Sequence, residues 1–165
     1  SNYDLISNFI GTGLFYVQEK KFNAQFLKLK FSSHLSPYAT YRPTLLGNSF
    51  SERILKDYNG QTYWITLDFN TRIQEKFKIL KYINLDLGYS IDGFTGARYN
   101  PNLNCAECDN LKRQSQYIIS FDLDLTEIET KNKFLKLFLH TFSIIKFPAP
   151  ALLIQSESQF KWLYF

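Results

Sequence analysis

Four segments of this chain, residues 26–31, 63–69, 83–89 and 117–125, alternate strictly between apolar and polar side chains, and the aromatic run Phe160–Phe165 follows as a further strand. Successive side chains of a β-strand point to opposite faces, so a period of two gives each segment one apolar and one polar side. The pattern fits an antiparallel sheet or a barrel wall with one buried face and one wet face. In the first segment Leu27, Leu29 and Phe31 oppose Lys28 and Lys30. In the second Tyr63, Ile65, Leu67 and Phe69 oppose Trp64, Thr66 and Asp68. Ile83, Leu85, Leu87 and Tyr89 oppose Asn84, Asp86 and Gly88 in the third. In the fourth Tyr117, Ile119, Phe121, Leu123 and Leu125 oppose Ser120, Asp122 and Asp124. The expectation is that the apolar sets turn inward and the polar sets face water.

Between these segments the spacing changes to that of helices. Residues Asp4 to about Glu19 read as a helix capped by Asn2 or Asp4, with Leu5, Phe9, Ile10, Gly13, Leu14 and Val17 on one stripe. Gly11 and Gly13 weaken an isolated helix but permit close packing. The stripe belongs either to the core or to a docking surface for whatever precedes residue 1. Ser49-Phe50-Ser51-Glu52 has the capping-box pattern, which starts a short helix ending before the turn Asn59-Gly60. Residues Thr71 to Tyr82 form a short amphipathic helix in this reading, with Ile73, Phe77 and Leu80 inward. Lys131 to about His140 is a further helix, with Phe134, Leu135, Phe138 and Leu139 facing the core. An extended stretch Phe142–Phe147, a strand Leu152–Ile154 and a turn Ser156-Glu157-Ser158 precede the last strand. The sum is an α+β fold: a mainly antiparallel sheet, or partly closed barrel, of about six strands with three or four short helices. One domain over 1–165 is expected, with a helix over 1–20 and a β-rich body over 25–165.

Its 165 residues suffice for a single core, and 16 Phe and 11 Tyr make the chain unusually aromatic. The net charge of +4 comes from lysines dispersed among apolar residues (Lys28, Lys30, Lys78, Lys81, Lys136, Lys146), not from a clustered stripe, which speaks against nucleic acid. Methionine is absent even at position 1, so the expectation is a C-terminal piece of a longer precursor. No apolar run reaches the ~20 residues of a spanning helix.

Few residues are arranged for catalysis. Cys105-Ala106-Glu107-Cys108 is at most half a zinc site, and His34 and His140 stand at no ligand spacing from it. In an oxidising envelope compartment a loop disulfide between Cys105 and Cys108 is the simplest account; free thiols and a metal are the alternatives. Asp68, Asp86, Asp122 and Asp124 occupy matching strand faces and could cluster to bind a cation or do acid–base work. The plainer reading is that they form the polar outward side of a half-buried sheet, paired with lysines such as Lys28 and Lys30. No Gly-x-Ser-x-Gly or phosphate loop is present, and no cofactor motif emerges. Arg42, in the rigid segment Pro37-Tyr38-Ala39-Thr40-Tyr41-Arg42-Pro43, could anchor a partner or stack within the fold.

The chain also resembles a family of Bacteroidota envelope proteins called domain of unknown function 2279. The likeness runs through Asp4-Leu5-Ile6-Ser7-Asn8, Tyr41-Arg42-Pro43, Lys56-Asp57-Tyr58-Asn59-Gly60-Gln61-Thr62-Tyr63-Trp64, Leu87-Gly88-Tyr89, Asp122-Leu123-Asp124-Leu125-Thr126, Ile145-Lys146-Phe147-Pro148-Ala149-Pro150 and Leu163-Tyr164-Phe165. The resemblance implies an exported protein at the periplasmic face of the outer membrane, with no enzymatic activity. It further implies a partner, a large outer-membrane β-barrel such as the type IX secretion translocon, whose periplasmic opening the chain would plug. Neither nucleic acid nor a small-molecule substrate is implied. The expected contacts are Tyr38, Tyr41, Arg42, Trp64 and the loop Asp92–Arg113, with Phe94, Arg98 and Tyr99. A terminal aromatic residue on a strand is also common in bacterial outer-membrane barrels. A small integral barrel is therefore one alternative, although no consistent lipid-facing girdle is evident along the strands. A periplasmic enzyme or ligand carrier using the Asp face is the other.

Overall fold

The structure, a computed structural model, describes residues 2–23, 25–68, 81–103, 105, 107–108, 110–155 and 158–165. Phe69, residues 71–80 of the helix expected over Thr71 to Tyr82 (with Ile73, Phe77 and Leu80), and Ser156-Glu157 of the expected turn lie outside them. Six strands, β1 (Leu27–Ser33), β2 (Gln61–Leu67), β3 (Ile83–Asp92), β4 (Gln114–Leu123), β5 (Ala149–Ile154) and β6 (Gln159–Tyr164), form one antiparallel sheet in chain order. Among the described residues four α-helices accompany it: α1 (Asn2–Val17), α2 (Pro43–Leu46), α3 (Phe50–Lys56) and α4 (Lys133–Phe142). The fold is α+β, with an open sheet of six strands.

Register assembles the alternating segments into rows. Leu29, Ile65, Leu87, Ile119, Leu152 and Phe160 stand side by side across all six strands. One step along, Lys28, Thr66, Asp86, Ser120 and Ala151 form the next row, on the opposite face. The sheet curls towards its second face. Tyr164, near the end of β6, shares a hydrogen bond with Thr62 of β2 at 3.2 Å and meets the Trp64 ring edge-on at 5.9 Å. Its ring lies 5.9 Å from that of His34, just beyond β1. Along the outer edge of β1 runs the segment before β5: Phe31 N–H donates to Ile144 O and Lys146 N–H donates to Phe31 O. Between β1 and β6 there is no ladder, so the curl does not close.

Which face is buried reverses the expectation. The polar row is inside: Asp86, Thr66 and Ser120 are buried, as are Lys30, Asn84, Asp122 and Asp124. The apolar row is outside, with its six members between 38% and 59% exposed. A small apolar cluster of described residues (Trp64, Ile118, Ala151, Leu153 and Tyr164) shares the interior. At its centre Gly88 faces Trp64, where a Cβ would stand 2.6 Å from the indole, so only glycine leaves room for the ring.

Two helix expectations are corrected likewise. Helix α1 starts at Asn2 and passes after Val17 into a π-helical turn, Gln18–Phe22. It is moored at that end: the Gln18 amide accepts from Leu27 N–H and donates to Leu27 O. Its stripe does not reach a core, since Leu5, Phe9, Ile10 and Val17 are exposed. In α4, Phe134, Leu135 and Phe138 are exposed where a core contact was expected. Helix α3 follows its cap. Ser49 Oγ accepts from Glu52 N–H, while the Glu52 carboxylate accepts from Asn48 N–H and Lys56. Hydrogen bonds to Lys56 and Asn48 lower the Glu52 pKa to about 2.

Candidate functional site: an apolar wall around a charged interior

The interior is held by ion pairs that cross it. Lys30 on β1 donates to Asp122 on β4, and both side chains are almost fully buried. The second Asp122 oxygen accepts from Phe147 N–H at 2.8 Å. Lys28 bonds Asp124 at 2.5 Å and Asp68 at 3.1 Å, and Asn84 and Thr126 complete the shell of Asp124. Lys146 donates to the carbonyls of Phe121 and Phe147 at 3.0 Å each and lies 4.7 Å from the Trp64 ring centre. Its ammonium is 3.9 Å from Asp86, whose carboxylate oxygens make no hydrogen bond. A buried ion pair survives only when its remaining polar atoms are also bonded, which holds for Asp122 and Asp124 and fails for Asp86.

Sequence spacing brings the four aspartates together, and Lys28 and Lys30 do pair with them. Their expected exposure is the error: they face the enclosed side. Among the described residues no group of His, Cys, Asp and Glu is arranged to hold a metal ion. The network ties β1 to β4 and to the segment before β5.

The outer face is the other half of the site. Beside the row Leu29 to Phe160 lies a second one, Phe31, Tyr63, Tyr89, Tyr117 and Ile154, in register across five strands. Its rings touch in pairs, Phe31–Tyr63 at 5.6 Å and Tyr89–Tyr117 at 5.7 Å. This is an aromatic belt, a cross-strand row that reading each strand by itself does not reveal. Each strand contributes one residue, so the belt appears only when register is known. On β6, Phe160 and Trp162 pack edge-on at 5.1 Å and both are exposed.

Beyond the tyrosine belt, the connections over 34–60 and 93–113 fold together into a rim. Tyr38 donates to Asp92, Tyr41 to Glu107 and Arg42 to Thr95 O, while Asn59 clamps both backbone groups of Phe94. Arg113 stacks on Phe94 at 4.0 Å. Burial and the Asp92 carboxylate push the Tyr38 phenol up from its ordinary pKa. Gly93 adopts φ 75° and packs against Lys112 O, a turn glycine that starts this loop. Cys105 and Cys108 are joined by a disulfide within it. Of the expected contact residues, Tyr38, Tyr41, Arg42 and Phe94 gather here, and Arg98 and Tyr99 project from the same loop into solvent. Trp64 does not join them: it is buried in the interior, donating to Ser32.

No helix among the described residues is long and apolar enough to cross a membrane. No protein family, curated protein or solved structure matches the chain.

Proposed function

We propose that this chain is a non-enzymatic integral protein of the bacterial outer membrane, its curled sheet turning the apolar wall to lipid acyl chains. The carrying observation is the exposed apolar row that crosses all six strands while the opposite face buries paired charges. In water such a sheet would be inside out. Monomeric soluble proteins rarely expose a contiguous apolar patch of more than a few hundred Å². Because the sheet curls, its wall points in several directions, which suits a surrounding solvent better than one flat partner. Polar inside, apolar outside and a tyrosine belt at one rim are the features of a membrane barrel wall. From Ile83 to Ile91 the apolar side of β3 extends roughly 26 Å along the strand, or about 20 Å across a membrane at the usual tilt.

The open seam favours a second reading. Lipid offers no hydrogen bonds to a free strand edge, and β6 has only β5 as a ladder partner. A large outer-membrane barrel lying along that seam would cover it. The chain then serves as an accessory of that barrel, with its loop rim available to occlude the periplasmic mouth of a type IX translocon, as the family resemblance implies.

Trp162 tests the first reading. Reconstituted into vesicles whose acyl chains carry bromine, the chain should lose emission relative to unbrominated vesicles, and Trp162→Phe should abolish the difference. Emission indifferent to bromine sinks the lipid-facing wall. For the second reading, cross-linking from positions on β6 in native envelopes should capture a large outer-membrane barrel; capture of none rejects it.

A further inference from the structure

Helix α4 buries none of its side chains. Helical spacing puts Phe134, Leu135, Phe138 and Phe142 on one side and Lys133, Lys136 and His140 on the other. Phe134, Leu135 and Phe138 are 76%, 42% and 46% exposed, so the apolar side is not spent on the sheet. That side continues into the outer wall. The chain leaves α4 through exposed Ile144 and Ile145 and reaches Phe147, which lines an apolar groove of about 400 Å³ with Pro148, Phe121 and Leu123. Every ionised residue of α4 is basic, and Lys131 precedes it. The nearby carboxylates, Glu127 and Glu129, are engaged by Lys81.

We propose that α4 lies flat in the interfacial layer of a membrane leaflet containing anionic phospholipid, its phenylalanines at the acyl boundary and its lysines at headgroup phosphates. This rests on the lipid-facing reading of the sheet. The apolar arc is wide and continuous with the wall, and the opposite arc carries Lys133 and Lys136 and no carboxylate. Those two properties together describe an interfacial helix. The rim opposite the tyrosine belt thereby gains its own anchor.

An indole introduced by Phe134→Trp, in a Trp162→Phe background, reads its depth in reconstituted vesicles. Bromine near the glycerol end should quench it at least about twofold more than bromine near the chain terminus. Adding phosphatidylglycerol to phosphatidylcholine should raise that quenching about twofold, and Lys133→Glu with Lys136→Glu should remove the increase. Phe138→Trp, in the middle of the apolar side, supplies the same reading if the first variant fails to fold. Quenching absent at position 134 while Trp162 is quenched in the parent chain overturns the helix proposal alone. If neither indole is quenched, it is the lipid-facing sheet that falls. Stronger quenching by the deep label, or indifference to phosphatidylglycerol, also overturns the proposal.

Discussion

The two faces of the sheet are built from the same strands, yet they obey opposite rules. Inside, Lys30 meets Asp122 and Lys28 meets Asp124, charges matched by partners drawn from other strands, with Asp86 the member that lacks a hydrogen bond. Outside, Leu87, Ile119 and Leu152 stand in a row, each about two-fifths exposed. In a water-soluble sheet the assignments would be exchanged, because transferring apolar area out of water is the main stabilising term. The contrast shows that alternation fixes how faces differ but leaves open which one is enclosed. The surrounding solvent decides that.

The largest effect should come from removing one partner of the inner pairs. Asp122→Leu leaves Lys30 buried without its carboxylate and should cost about 3–5 kcal/mol in urea unfolding of the reconstituted chain. Asp86→Asn breaks no hydrogen bond but removes the carboxylate 3.9 Å from Lys146, so it should cost less, about 1–3 kcal/mol, and equal losses for the two would show that the network does not act through its bonds. On the outer face, Ile119→Arg should cost about 2–4 kcal/mol in a bilayer. Were that face wetted, the same change would stay within about 0.5 kcal/mol, so this variant discriminates the two solvents. Gly88→Ala pushes a methyl against the Trp64 indole and should cost about 1–3 kcal/mol, whatever surrounds the wall. A lower cost, with unchanged near-UV dichroism, would mean that the interior has slack.

The smallest change lies on neither face. Ser49→Ala removes the α3 cap and should cost about 1 kcal/mol equally in lipid and in detergent. The Glu52 carboxyl, held at about 2 by Lys56 and Asn48, adds stability that is complete above its ordinary range and lost as pH falls towards 2. Glu52→Gln should flatten that part of an acid titration and leave the neutral-pH profile of the inner face untouched.

Much of the architecture was legible in the residues. The period of two marked β1 to β4, and Ser49 with Glu52 marked the start of α3 at the right residue. Matching parity also foretold that Asp68, Asp86, Asp122 and Asp124 share a face with Lys28 and Lys30. Three things were not legible. Inward or outward sense depends on solvent, which parity does not encode. The belt of Phe31, Tyr63, Tyr89 and Tyr117 needs cross-strand register, set by ladders between segments far apart in the chain. Trp64 looked like an interface anchor because tryptophan is favoured there, but only the gap left by Gly88 on the neighbouring strand reveals where the indole goes.

Strand order has a consequence for how the molecule forms. Every ladder joins segments consecutive in the chain, so each hairpin can zip onto the last with modest loop-closure entropy. The bonds Lys30–Asp122, Lys28–Asp124 and Thr62–Tyr164 are different: they skip strands and separate their partners by 92, 96 and 102 residues. A growing flat sheet cannot make them. They become available only after curvature brings its margins round, so the charges act as a late checkpoint that rewards the curled form over a flat one. A chain arrested before that step would display its lysines and aspartates unpaired, the state most readily recognised as unfinished.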